Sequence, residues 1–484
     1  MFLFTTFLCA DSVLAADDNC FTFNGISFIK PLDYGTFLMY IMNLVLFVIP
    51  YNLNINLQDW CLAAGGLIKA FVISGIFIYI YKFLRQNDNS LNTSLFASAI
   101  LYALFFVLHS RLNFIDFIIN EGFFRFIIPA FLMEVFFYYF YKLWKGEKVN
   151  LYLLGIIAFF TALSSEVTGE ILISGTIFSI LYKLLRNKEE KFFIKSSACI
   201  LFLLVIGFTL LLQTKGFQNH INTKLSENGF NFINFSEFLI IYAKSVIWNN
   251  IVLYIVLAIL WIKNKENAIY SFIVLLSTFS FFLSLFFMGK THYSKEYWLY
   301  HADLYTFLIM GILISTAAAL KKINFKICII AFVILLFPFI ISASHLKTAL
   351  INVKNMYYLR DKITAFYTYK GEVPIIPEVN QFLAIYMFLR RDTELSLNKK
   401  INFKEKIHVP NVYNSFFDGG VLEYYYPIIY KIKPISNEFI VNDNAIYIFK
   451  ENGGSLDEIE TNKYKFSYLT DKEFVLGNIS KVKK

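Results

Sequence analysis

Charge is what this sequence has least of. Only 16% of its 484 residues are charged, against roughly 25% in an ordinary soluble domain. With 57% hydrophobic residues, 19% aromatics and a mean hydropathy of +0.56, a water-soluble fold of this size has nowhere to hide its apolar surface. Cysteine is also scarce. Cys9, Cys20, Cys61, Cys199 and Cys328 stand singly, mostly in apolar stretches, which excludes a disulfide framework and a CxxC-type metal spacing. No Gly-rich phosphate loop, HExxH or GxSxG occurs, so nucleotide-driven transport and ordinary hydrolase chemistry lose support. No repeat of fixed period stands out.

What is present in quantity is the membrane-length apolar run. Stretches near the roughly 20 residues needed to span hydrocarbon lie at 60 to 83, 91 to 109, 125 to 143, 196 to 212, 238 to 262, 269 to 288, 304 to 320 and 326 to 343. The run from 151 to 184 is too long for one span. The net charge of +9 is carried by short clusters between these runs, which is a topology signal and not a nucleic-acid footprint. The clusters are Lys82/Arg85, Lys142/Lys145/Lys148, Arg186/Lys188/Lys191/Lys195, Lys263/Lys265 and Lys321/Lys322/Lys326.

If all five clusters face the cytoplasm, consecutive clusters must be joined by an even number of crossings. Residues 151 to 184 then form a hairpin turning near Ser164-Ser165-Glu166-Val167-Thr168-Gly169-Glu170, and the last span delivers the C-terminus outside. The expected fold is a polytopic α-helical membrane protein of the inner membrane, crossing about nine or ten times. Residues 1–34 form an N-terminal segment, 35–343 the multi-span bundle, and 344–484 a small extracytoplasmic α/β domain, read from helix-like residues 346 to 368 and alternating strands such as 438 to 449. Residues 1–16 are either a signal-like peptide or a truncated first helix, and 35 to 51 either crosses or lies along the interface.

Ionisable residues near membrane depth are costly and therefore informative. Glu166 and Glu170 share one helical face if the second arm of the hairpin begins at Glu166; otherwise they belong to a solvated turn. Asp17 and Asp18 are adjacent, so only one can point into a given site. Glu134 lies inside an apolar run, where the simplest reading is a bonded structural acid with Lys69 or Lys244 as partner. Arg111 and Arg125 flank one outward loop, and Lys290, His292, Lys295, His301 and Asp303 crowd another. Singly these cations anchor helices to headgroups; together, beside carboxylates, they suit an anionic lipid-linked substrate.

The acidic pair Asp17-Asp18, the turn from Leu163 to Gly169, the run Tyr357 to Pro377 and the stretch Asn411 to Tyr426 resemble bacterial membrane glycosyltransferases of the GT-C superfamily. The resemblance is to the branch related to O-antigen glucosyltransferases, and it covers nearly the whole chain. It implies a GT-C-like bundle, and an inverting transfer of sugar from a polyprenyl-phosphate-linked donor to a cell-surface glycan or glycolipid acceptor on the outer face. It implies that Asp17 or Asp18 is the general base on the acceptor hydroxyl. Arg125, Lys290 and His292 are candidates for holding the departing lipid phosphate, from their place in the loops. Some relatives use a divalent metal and others do not; this sequence carries no ligand set that decides it. The reading of another class is a non-enzymatic protein of envelope glycan transport or assembly, with its polar groups at the bilayer midplane. A polysaccharide polymerase is a third.

Overall fold

The computed structural model describes residues 37–53, 55, 60–112, 122–186, 190–214, 218, 251–280, 300–344 and 346–347, together with 401–402 and 458–459. Among the described residues six helices are long and apolar enough to cross a membrane: Ala63–Gln86, Leu91–His109, Phe123–Trp144, Glu166–Arg186, Lys191–Leu212 and Phe325–Ser344. Four shorter apolar helices accompany them. The chain is a helical, multi-pass membrane protein.

In chain order the helices are α1 (Phe37–Asn43), α2 (Gly66–Gln86), α3 (Leu91–Leu112), α4 (Ile128–Trp144), α5 (Leu151–Ser164) and α6 (Glu166–Arg186). They continue with α7 (Lys191–Leu212), α8 (Ile251–Lys263), α9 (Lys265–Thr278), α10 (Tyr300–Ala319) and α11 (Phe325–Ser344). Local chemistry sets several boundaries. Asn150 caps α5 by accepting from the Leu153 amide at 3.1 Å, and Ser90 does the same for Thr93 at the start of α3. Between α4 and α5 the chain reverses at Gly146, whose φ of 76° suits glycine.

The long run 151 to 184 is two helices, broken by one extended residue, Ser165. It folds back on itself. The Lys183 ammonium at the far end of α6 donates to the Trp144 carbonyl at 3.3 Å, and Tyr182 stacks on the Trp144 ring, so α6 ends where α5 began. Thr168 staples the turn by donating to the carbonyls of Thr161 (2.9 Å) and Ser165 (3.0 Å).

The described members of the five positive clusters gather at one end of the bundle, called here the basic end. Its hub is the buried Asn87 in the α2–α3 turn. The Asn87 amide donates to the carbonyls of Ala317 (2.9 Å) and Ala318 (3.1 Å) of α10. Its oxygen accepts from the Tyr141 hydroxyl (2.6 Å), the Lys145 ammonium (3.1 Å) and the Asn267 amide (3.2 Å). Asn89 adds a bond to the Leu320 carbonyl and receives the Ile323 amide, while Lys183 pairs with Glu190 at 2.6 Å.

Elsewhere the bundle is held by close helix approach, as membrane bundles are. A Cβ at Gly207 of α7 would fall 2.5 Å from the Phe159 carbonyl oxygen of α5, so only glycine fits that crossing. The helix α4 is the most enclosed of the six spans, and α11 the least, with Ile330, Val333, Ile334 and Phe337 exposed along its outer face.

The α/β domain expected over 344–484 is not supported. Beyond Lys347 the described residues hold only an antiparallel pair of two-residue strands, β1 (Ile401–Asn402) with β2 (Glu458–Ile459). The runs Tyr357 to Pro377 and Asn411 to Tyr426, which carry part of the resemblance, lie outside the described residues.

Candidate functional site

The end opposite the positive clusters differs in backbone as well as in charge. Three helices pass through π-helical turns, at Leu44–Val48, Cys61–Gly65 and Phe123–Ile127. The first two pack on each other, and the third packs on α1. Such turns leave the i→i+4 ladder and recur at functional sites. The Trp60 indole takes up one displaced acceptor, donating to the Val45 carbonyl at 2.9 Å. Phe37 stacks on Phe160 with centroids 5.0 Å apart, which seats α1 beside the last turn of α5.

Cations line this end at helix starts. Lys69, in the first turn of α2, is fully buried with its ammonium 5.7 Å from the Phe123 ring centroid. Arg125 sits half-buried inside the third π-turn, its guanidinium 5.3 Å from the Phe126 ring. Phe126 in turn meets Phe307 of α10 edge-on. His109, buried near the end of α3, places Nδ1 2.8 Å from the Phe105 carbonyl. A carbonyl only accepts, so Nδ1 carries the hydrogen and Nε2 meets the Thr306 hydroxyl at 3.2 Å.

The carboxylates follow the hairpin. Because α6 begins at Glu166, Glu166 and Glu170 stand one turn apart on one face, both half-buried. Glu166 occupies the first turn, where the helix dipole favours negative charge. Of the candidate residues, the described structure therefore brings Arg125, Glu166 and Glu170 to the same end of the bundle, with Lys69 and His109 added. Asp17, Asp18, Lys290 and His292 lie outside the described residues. Among the described residues no group of three or more His, Cys, Asp or Glu could hold a metal ion.

Glu134 corrects the sequence reading. It is fully buried, and neither carboxylate oxygen has a hydrogen-bond partner among the described residues. Lys69 is not its partner, because Lys69 lies at the level of Phe123, eleven residues or about 16 Å along the helix from Glu134. Lys244 lies outside the described residues.

Lys69 stands in the sequence as a charge well inside the apolar run 60 to 83, but nothing there places it beside Phe123. The π-turns carry no compositional sign. No protein-family model, curated protein or solved structure matches this chain.

Proposed function

We propose that the chain is a membrane glycosyltransferase of the GT-C type, moving a sugar from a polyprenyl-phosphate-linked donor to a cell-surface glycan or glycolipid acceptor on the outer face of the inner membrane, with inversion. The observation that carries this reading is the segregation of groups: the described members of the five positive clusters at one end, and half-buried Arg125, inside a π-turn, with Glu166 and Glu170 at the other. The positive-inside rule makes the basic end cytoplasmic and the opposite end external, where a lipid-phosphate donor would present its sugar. The C-terminal residues are then extracytoplasmic.

In this mechanism Asp17 or Asp18, by resemblance, removes the proton from the acceptor hydroxyl as its oxygen attacks the anomeric carbon. The bond from that carbon to the phosphate oxygen breaks, and Arg125, Lys290 and His292 stabilise the departing lipid phosphate. Glu166 and Glu170 support the acceptor side with acceptors for sugar hydroxyls.

The test uses the full chain in lipid nanodiscs, given a radiolabelled polyprenyl-phosphate sugar and an envelope acceptor fraction. Wild type should transfer label and release polyprenyl phosphate, while the double variant Asp17→Asn/Asp18→Asn should lose about 10² to 10⁴ in rate. Equal rates would remove the base assignment. The alternative, movement of a lipid-linked glycan without chemistry, is favoured by one observation, the buried Glu134 at mid-span. It predicts no label transfer from wild type but passage of the intact lipid-linked glycan across a vesicle membrane.

A further inference from the structure

Glu134 is the one carboxylate among the described residues that lies inside a span and away from both ends. It stands eleven residues after Phe123 and ten before Trp144 in a span of 22 residues, so about 15 Å of helix separates it from either end. It is wholly shut from solvent and neither oxygen is hydrogen-bonded among the described residues. A carboxyl at that depth is retained at a cost and is met by a cation or a cavity.

The neighbours decide which cation. Titratable groups facing this depth are phenols: Tyr79 of α2, whose ring meets those of Phe131 and Tyr138, three residues before and four after Glu134; Tyr138 and Tyr139 of α4 itself; and Tyr270 of α9, whose hydroxyl donates to the Phe137 carbonyl at 2.7 Å. The other helices packed on α4 carry theirs at the ends. On α6 these are Glu166 and Glu170 at one end and Tyr182, Lys183 and Arg186 at the other; α5 has only the exposed Tyr152 near the basic end; α10 has none from Thr306 to Ala319. A metal cation would find one carboxylate and no cluster of further ligands among the described residues. A proton needs a single oxygen.

A path of phenols also runs from this depth to the basic end. The rings of Tyr79 and Tyr138 meet edge-on with centroids 5.5 Å apart. Lys82 lies over both, its ammonium 4.2 Å from the Tyr79 centroid and 5.8 Å from that of Tyr138. We propose that Glu134 is an internal proton-exchange site of the bundle, served from the basic end past Tyr79 and Tyr138. Uptake forms one O–H bond on the Glu134 carboxyl with a proton drawn from water at the basic end, and release reverses it; no other bond changes. The proposal is independent of the transferase reading, which succeeds or fails on label transfer alone.

The experiment uses the full-length protein in lipid vesicles and two measurements. Dicyclohexylcarbodiimide, an apolar reagent for membrane-buried carboxylic acids, should label Glu134, as located by peptide mass spectrometry, and label no residue of that peptide in Glu134→Gln. Infrared spectra should contain a carboxylic-acid carbonyl band, absent from Glu134→Gln, that shifts within minutes of transfer to D₂O. In Tyr79→Phe/Tyr138→Phe the shift should be severalfold slower. If Glu134→Gln does not fold, wild-type labelling and the wild-type D₂O shift decide the matter by themselves. An unlabelled Glu134, or a band unmoved after hours in D₂O, overturns the site; an unchanged rate in the double phenylalanine variant overturns the route.

Discussion

The two ends of this bundle are held together by different physics. At the basic end, side-chain amides, a phenol and an ammonium converge on Asn87, tying the α2–α3 turn to α4, α9 and α10. At the opposite end close approach does more of the holding, with Gly207 against the Phe159 backbone and π-turns packed together, while hydrogen bonds join isolated pairs such as His109 with Thr306 and Trp60 with Val45. Hydrogen bonds fix one geometry, because a buried amide left unpaired is costly. Packing of small residues and π-turns tolerates a small shift of one helix on its neighbour. The difference assigns rigidity to the basic end and adjustment to the end that carries Arg125, Glu166 and Glu170.

The largest effect that could break this contrast is all-or-none. With the native cysteines removed, Lys148→Cys and Glu166→Cys should be modified by a membrane-impermeant thiol reagent from opposite faces of the membrane. Modification of both from one face would place the two ends on the same side and undo the bundle polarity. A stability loss comes next. Asn87→Leu strands the carbonyls of Ala317 and Ala318 and the donors on Tyr141 and Asn267, at about 2–4 kcal/mol in total. A lowered thermal midpoint in detergent checks it, and an unchanged midpoint would mean the hub carries no stability. Smaller still, Gly207→Ala pushes a methyl against a backbone oxygen, for about 1–2 kcal/mol of overpacking. It should raise thiol reactivity at Glu166→Cys while leaving Lys148→Cys unchanged, which would separate the two ends within one protein.

The sequence made the bundle legible because the membrane imposes a single length and a single side for cations. Where described, the apolar runs are helical apart from the break at Ser165 and a turn at Phe279–Ser280, and the described members of the five clusters meet at one end. Glu166 and Glu170 share one helical face because the break at Ser165 fixes where the helix starts. What stayed hidden depends on depth and register. Glu134 reads as an acid partnered by Lys69 or Lys244, but the levels of Lys69 and Glu134 differ by about three turns of helix, and Lys244 lies outside the described residues. Asn87-Asp88-Asn89 reads as a plain polar turn, since nothing local announces partners up to 231 residues away. The α/β domain over 344–484 rests on helix-like residues 346 to 368 and on alternation such as 438 to 449, and beyond Lys347 the described residues hold only one pair of two-residue strands.

Consider how Asn87 is made. It leaves the ribosome long before most of its partners, with Tyr141 following 54 residues later, Asn267 after 180 and Ala317 after 230. At roughly 5–20 residues per second of synthesis, the last of these arrives about 10–50 s behind it. Through that interval the amide must stay in water or borrow a chaperone. The completed set of bonds therefore records that the tenth helix has docked, and a chain interrupted before Ala317 leaves an open polar socket that membrane quality control can recognise.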